Sequence, residues 1–362
     1  MPEIEHGGPL HRWAPVGVAL AALGITLGLG AISLWAGGYD PIMAASALYR
    51  GALSSREAIL SVSLVRAVPL VLTGLAVGLA FRAGVWNIGA EGQLYAGAVA
   101  GVWVALMGEG MARPLHLAFI GVAACTAGAA WAAIPAYLKW KAEVGEVIST
   151  ILMNFVGIYL AAYVVHGPLQ EARGVFPQTD PIPLSARIPL LLPGSRLHWG
   201  GALALLIGVG LWAWFRFARA GFAVRVTGVA PDAARIAGRI PSRRVALGAF
   251  LVSGALAGLA GGVEVAGVTH ALYEGLSPGW GYTAIAVALL ARLHPLGILC
   301  TGVLFGILEG GAGAMQRGAG IPAAWVLALE ALAILSVLAV EQAWRRVAAA
   351  SRVAGAGDGG AG

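Results

Sequence analysis

FRAGVWNIGAEGQLYAGA, residues 81–98, joins two apolar runs that are each long enough to cross a lipid bilayer. Within twelve residues it places Arg82, Asn87, Glu91 and Gln93. Gly84 and Gly89 flank Asn87, and Gly92 stands between Glu91 and Gln93. Glycine interrupts a helix at little cost and bares backbone groups to whatever lies beside them. Non-helical backbone at membrane depth is tolerated only where protein buries it or where it lines a cavity. Two readings of WNIGAEGQ stay open on these grounds. It is a broken-helix element at a translocation path, or a tight cytoplasmic turn anchored by Arg82 and capped by Asn87 ahead of the next helix.

The surroundings set the class. Of 362 residues, 59% are hydrophobic and 11% charged, and the mean hydropathy is +0.82. A soluble domain carries about 25% charged residues, so the chain is predicted to be an integral membrane protein. Its 54 glycines suit close helix packing in lipid, where packing and not the hydrophobic effect joins helices. Runs of about 20 apolar residues cross a bilayer. Such runs lie near 14–37, 58–80, 90–108, 115–138, 147–165, 199–215, 245–263, 280–291, 295–313 and 321–340, the eighth being short. The expected fold is therefore all-α, a polytopic transmembrane helix bundle of about ten helices.

Charge placement orients it. With the N-terminus inside, the inner segments hold fifteen of the 23 basic residues, seven of them between 216 and 244. Cytoplasmic retention of Lys and Arg places both termini in the cytoplasm. The same bias explains the net charge of +6 and leaves no call for nucleic acid as a partner. Residues 1–345 read as a single transmembrane domain with an inner loop at 216–244, and 346–362 as a short Gly/Ala-rich tail without fixed structure. The outer loop 166–198 is rich in Pro, which blocks a long helix. Its IPLLLPG either lies in the membrane interface or belongs to an ordered surface loop. In the inner loop, Pro231 and the following DAARIAG predict a short helix stopped by Gly238. LVLTGLAVGLA from residue 70 and FLVSGALAGLA from residue 250 echo one another at an offset of 180, placing Thr73 on Ser253 and Gly74 on Gly254. That is an inverted repeat, or a chance likeness between two Gly/Ala-rich helices.

Several chemistries lack their residues. There is no G-x-x-x-x-G-K-[ST] phosphate loop, and the only lysines are Lys139 and Lys141. H-E-x-x-H and C-x-x-C are absent too, the seven histidines are scattered, and Cys125 and Cys300 sit in apolar runs. No catalytic residue and no metal ligand set is assigned, and no cofactor is expected on this chain. Polar groups within apolar runs remain: Arg66, Glu91, Glu146, Asn154, Glu264, Glu309 and Glu330. A charge at the bilayer centre costs from a few to more than about ten kcal/mol. Each therefore pairs with another, sits near an interface, or faces a watery interior.

GLAFRAGVWNIGAEGQ resembles the signature stretch of ABC-importer permeases in the group that serves simple sugars, branched-chain amino acids and nucleosides, and is most like the nucleoside-type, basic-membrane-protein-associated permeases. EVISTILMNFVGIYLA at 146–161, GYTAIAVALLARLHPLGIL at 281–299 and LFGILEGG at 304–311 resemble further stretches of that subfamily in the same order. VTGVAPDAARIAG resembles the segment that contacts the ATPase. The resemblance spans about 60–312. It implies a permease subunit of the inner membrane that moves solute by alternating access. The implied partners are a cytoplasmic ABC ATPase that binds ATP and Mg, a second, homologous permease, and an extracytoplasmic substrate-binding protein. Asn87, Glu91, Gln93 and Asn154 are expected along the substrate pathway. Gly228, Pro231, Ala233, Ala234, Arg235, Gly238 and Arg239 are expected in the ATPase-coupling loop, with Arg235 and Arg239 four apart on one helical face. The implied solute is a nucleoside. A simple sugar such as ribose or galactose is the alternative, and an ion-coupled transporter using Glu91, Glu264 or Glu309 is the rival from another class.

Overall fold

In the computed structural model the described residues are 24–232, 240–322 and part of 324–343. Among them there are helices and no strands, only isolated bridges between Gln178 and Tyr273 and between Leu190 and His198. In chain order the helices are α1 (Gly24–Ala36), α2 (Pro41–Ala52), α3 (Ala58–Arg82), α4 (Ala90–Met107), α5 (Arg113–Ala142), α6 (Glu146–His166), α7 (Trp199–Phe217), α8 (Arg219–Val229), α9 (Ser242–Thr269), α10 (Trp280–Leu290) and α11 (Pro295–Ala319).

Six of these, α3, α5, α6, α7, α9 and α11, are long and apolar enough to cross a membrane. The chain is a multi-pass membrane protein. The run expected at 280–291 is the 11-residue α10, which spans about 16 Å and is shorter than a bilayer core. The run at 90–108 is α4, whose polar first turn carries Glu91 and Gln93. It tolerates them because α5, α6, α9 and α10 surround it. The run at 14–37 is described only from Gly24, and that at 321–340 only in part.

One helix was not anticipated. Residues 41–52, assigned by apolar runs to an outer loop, form α2. The local signal is Asp40-Pro41, in which the Asp40 carboxylate accepts the Ile42 amide at 2.8 Å and the Met43 amide at 3.3 Å, and proline suits the first helical position.

The chain packs as two units, Arg50–Gly311 and a second one of Met1–Tyr49 with Ala312–Gly362. In the second, the Trp325 ring meets Tyr39 edge-on at 6.0 Å. The centre of the first is the trio α4, α5 and α9, which approach through glycine. A methyl at Gly97 would strike the Gly258 carbonyl, one at Gly261 the Leu94 carbonyl, and one at Gly128 the Gly254 carbonyl. In lipid such backbone approach replaces the hydrophobic effect as the cohesive term. By contrast α6 leaves Ile148, Leu152, Phe155, Tyr159 and Tyr163 exposed, an apolar face that lipid or another membrane chain would cover.

The Pro-rich segment 166–198 is tied to the end of α9 and the residues that follow it. Residues 166–198 carry only a 3-10 turn, Leu184–Ala186. Thr179 N donates to Leu272 O at 2.8 Å, Ile182 N to His270 O at 2.9 Å and Ile188 N to Ala266 O at 2.9 Å. IPLLLPG folds back on itself, with Leu191 N donating to Leu197 O at 2.7 Å. It is part of an ordered loop closing the end of α9.

Candidate polar turn and coupling region

Helix α3 ends in a glycine stop that the sequence encodes. Gly84 N donates to Phe81 O and Val85 N to Ala80 O, both at 3.0 Å, with Gly84 at φ +77°. This is a Schellman cap, whose left-handed residue favours glycine. Its usual apolar contact is present too, because Ala80 and Val85 share a core cluster with Ala136 and Phe250. The chain then runs through residues 83–89 without helix, yet Ala83, Val85, Asn87 and Gly89 are buried. A buried turn must satisfy its polar groups within the protein.

Side chains from distant helices do this. Asn87, fully buried, donates from Nδ2 to Gln93 Oε1 at 2.9 Å and to Ser253 Oγ at 2.8 Å. Its Oδ1 accepts Gly89 N and Gln93 Nε2, each at 3.0 Å. Ser253 of α9 passes its own proton to Ala76 O of α3 at 2.6 Å. Asn154 of α6 acts as a surrogate peptide, accepting Gly92 N and donating to Ile88 O, both at 2.8 Å. Glu91 accepts Gly281 N at 2.6 Å and thereby holds the first turn of α10. Ser277 hydrogen-bonds the same carboxylate and caps α10 by accepting Trp280 N at 3.0 Å. So the four residues read from the sequence, Asn87, Glu91, Gln93 and Asn154, converge on one turn, where bonds to protein occupy the Asn87 and Asn154 amides. The chain leaves helix here within the bundle; α4 starts after Gly89 without a side-chain cap, and Asn87 holds the turn by accepting Gly89 N.

Sequence reasoning missed Ser253, Ser277 and Gly281 as members of this network. For Ser253 the available signal was a small polar residue inside an apolar run, the kind that bonds across helices in lipid; Ser277 lies outside the runs and Gly281 contributes only its backbone N–H.

The loop at 216–244 reaches the same turn. Helix α7 breaks at Ala218, and α8 follows within the segment expected to be loop. Gly228 of α8 lies against the end of α3, where a methyl on it would strike the Arg82 carbonyl. A Cβ on Gly84 would in turn lie 3.3 Å from Gly228 Cα. Arg82 stacks its guanidinium 4.8 Å from the centre of the Phe215 ring. Leu79, Ala83, Phe215, Val224 and Ala249 form a core that fastens α8 to α3 and α9. Pro231 begins the next turn, and Ser242 Oγ donates to its carbonyl at 3.0 Å, bringing the ends of the loop together. Ala233, Ala234, Arg235, Gly238 and Arg239 lie outside the described residues.

The other charges in apolar runs divide. Lys139 and Glu146 pair at 2.7 Å. Arg66 and Glu309 approach to 3.9 Å. Glu330 lies outside the described side chains.

A family model described as "Branched-chain amino acid transport system / permease component" matches residues 59–338. The chain belongs to this permease family. The matched span contains the polar turn, α8 and, apart from Ala58, the six long apolar helices of the described residues. Among its relatives, the glucose ABC transporter permease protein TsgB13 of Haloferax volcanii is 38% identical over 91% of this chain and 88% of its own length. The guanosine ABC transporter permease protein NupP of Bacillus subtilis is 36% identical over 88% of this chain and 92% of its own. The nucleoside ABC transporter permease protein NupB of Lactococcus lactis subsp. cremoris is 32% identical over 90% of each chain. No solved structure matches the permease. It is a transporter subunit rather than an enzyme.

Proposed function

We propose that this permease is the membrane subunit of an ATP-driven, binding-protein-dependent importer of nucleosides in the inner membrane, with both termini cytoplasmic. The ATP and Mg belong to a cytoplasmic ATPase that docks on the loop after α8. A second, homologous permease completes the pathway, and an extracytoplasmic protein delivers the solute. The observation that carries this reading is the seating of Gly228 on the Arg82 carbonyl and Gly84, which ties the coupling loop to the polar turn with no intervening side chain. Such a contact transmits a displacement of α8 directly. The turn is held by exchangeable side-chain hydrogen bonds, so it can settle in a second arrangement, as a bistable element requires. In this reading Asn87, Glu91, Gln93 and Asn154 form the inner gate of the pathway, locked in the present state. The two nucleoside-type relatives support nucleosides as the solute, and TsgB13 supports a sugar as the second reading. Uptake of labelled guanosine and glucose by proteoliposomes containing the full complex tests both. Guanosine uptake that needs internal ATP is expected, and uptake of glucose alone would favour the second reading.

A further inference from the structure

A second polar cluster lies at the opposite end of α3 from the turn. Arg66 of α3 approaches Glu309 of α11 at 3.9 Å. The Trp280 indole at the start of α10 donates to the same Glu309 oxygen at 2.9 Å. Glu264, near the end of α9, stands within electrostatic reach of Arg66, Glu309 and Arg196, and Tyr273 within reach of Glu264 and Arg66. Three features set this cluster apart from a structural ion pair. First, Arg66 sits in a membrane-crossing helix with its side chain 46% exposed. A guanidinium facing lipid there is strongly disfavoured, so the cluster opens on water or on a partner lining the same space. Second, Glu264 is only 5% exposed, yet its carboxylate takes no hydrogen bond from any described residue. Its oxygens are not among the enclosed unpartnered atoms, so they open onto the space that the cluster lines, and their donors come from whatever occupies it. Third, the two π-turns among the described residues flank the cluster, Ala58–Ser63 before Arg66 and Val265–Thr269 after Glu264. π-bulges concentrate at functional sites.

We infer that Arg66, Glu264, Glu309 and Tyr273 form a solute-receiving site for the vicinal hydroxyls of a neutral sugar ring, the furanose of a nucleoside or the pyranose of a hexose. Two carboxylates accept hydroxyl protons, and Arg66 donates to a ring or hydroxyl oxygen. Tyr273, 37% exposed, offers a ring face to the apolar side of the sugar. The inference rests on the importer reading and locates where the delivered solute is first held. Glu309, through Trp280, and Glu91, through Gly281, grip the same turn of α10. Occupancy at this site is thereby linked to the polar turn.

The test uses the reconstituted complex with its ATPase, partner permease and binding protein. Uptake of guanosine is compared with that of its 2′-deoxy and 3′-deoxy analogues, and uptake of glucose with that of its deoxy analogues. Wild-type, Glu264→Gln and Glu309→Gln permeases are measured alike. The binding protein contributes equally to each ratio, so it cancels between variants. A deoxy penalty of about ten- to hundredfold in the wild type, the worth of a hydrogen bond to a charged group, should shrink at least several-fold in either variant. The series that shows this identifies the ring. A penalty unchanged in both variants, or absent from the wild type, overturns the site. Wild-type complex with no ATP-driven uptake of either series removes the importer reading and this inference with it.

Discussion

Asn154 substitutes for two peptide groups at once, and that sets what its loss should do. Asn154→Ala would leave Ile88 O and Gly92 N unpaired in a buried turn, at about 1–3 kcal/mol for each group. Thermal unfolding in detergent should show the loss, and a melting curve unchanged from wild type would remove Asn154 from the network. His198 makes a pH-dependent contribution. Its ring is buried, accepts Gly200 N at 3.1 Å and leaves Nε2 without a partner. Burial, with His270 nearby, holds its pKa down to about 4 from an ordinary 6.5. The folded state therefore keeps the ring neutral while the unfolded chain protonates it. Stability is full above 6.5 and falls as pH drops from 6.5 toward about 4. Unfolding measured across that window should show the decline in wild type and a shallower one in His198→Gln. Equal slopes would place the titrating group elsewhere.

Helix packing at close range gives the element-scale expectations. Gly97→Ala should destabilise by about 1–3 kcal/mol or more, because the methyl meets the Gly258 carbonyl. Gly210→Ala in α7, with nothing within 4 Å of the added carbon, should be neutral or stabilising by up to about 1 kcal/mol. The pair can be compared by thermal unfolding. Arg292 and Leu293 hold consecutive left-handed conformations, at φ 51° and 59°, in the connection between α10 and α11. Replacing Leu293 with Gly should stabilise by about 1 kcal/mol in thermal unfolding, since a Cβ disfavours that region. Of the ten runs, the positions of six spans were legible, because hydrophobic runs report burial or lipid directly, whereas 280–291 proved too short to cross. The stop at Gly84 was legible because a Schellman cap is local. The partners of Asn87 and Asn154 were not, since Ser253 lies 166 residues from Asn87 and Gly92 lies 62 before Asn154. Nor was the use of the 70/250 echo. Gly74 packs on Val287 and Ile298, whereas Gly254 packs on Gly128 and Ala132, so similar sequences meet different neighbours. α2 was overlooked because it is amphipathic and short, although its Asp-Pro start was in plain sight.

For the whole molecule, the account joins a loop offered to an ATPase, a buried turn locked by side-chain bonds and a charged cluster at the far end of α3. Gly228→Leu should wedge α8 away from Arg82 and weaken the coupling of ATP hydrolysis to uptake by about 5- to 150-fold, the usual range of coupling between two sites. The assembled complex should persist. The most direct measurement is solute uptake into proteoliposomes holding the permease with its ATPase, partner permease and binding protein, with all ion gradients collapsed. The account predicts guanosine uptake that starts with ATP and is largely lost in Gly228→Leu. Uptake that ignores ATP and follows an imposed proton or sodium gradient would contradict it.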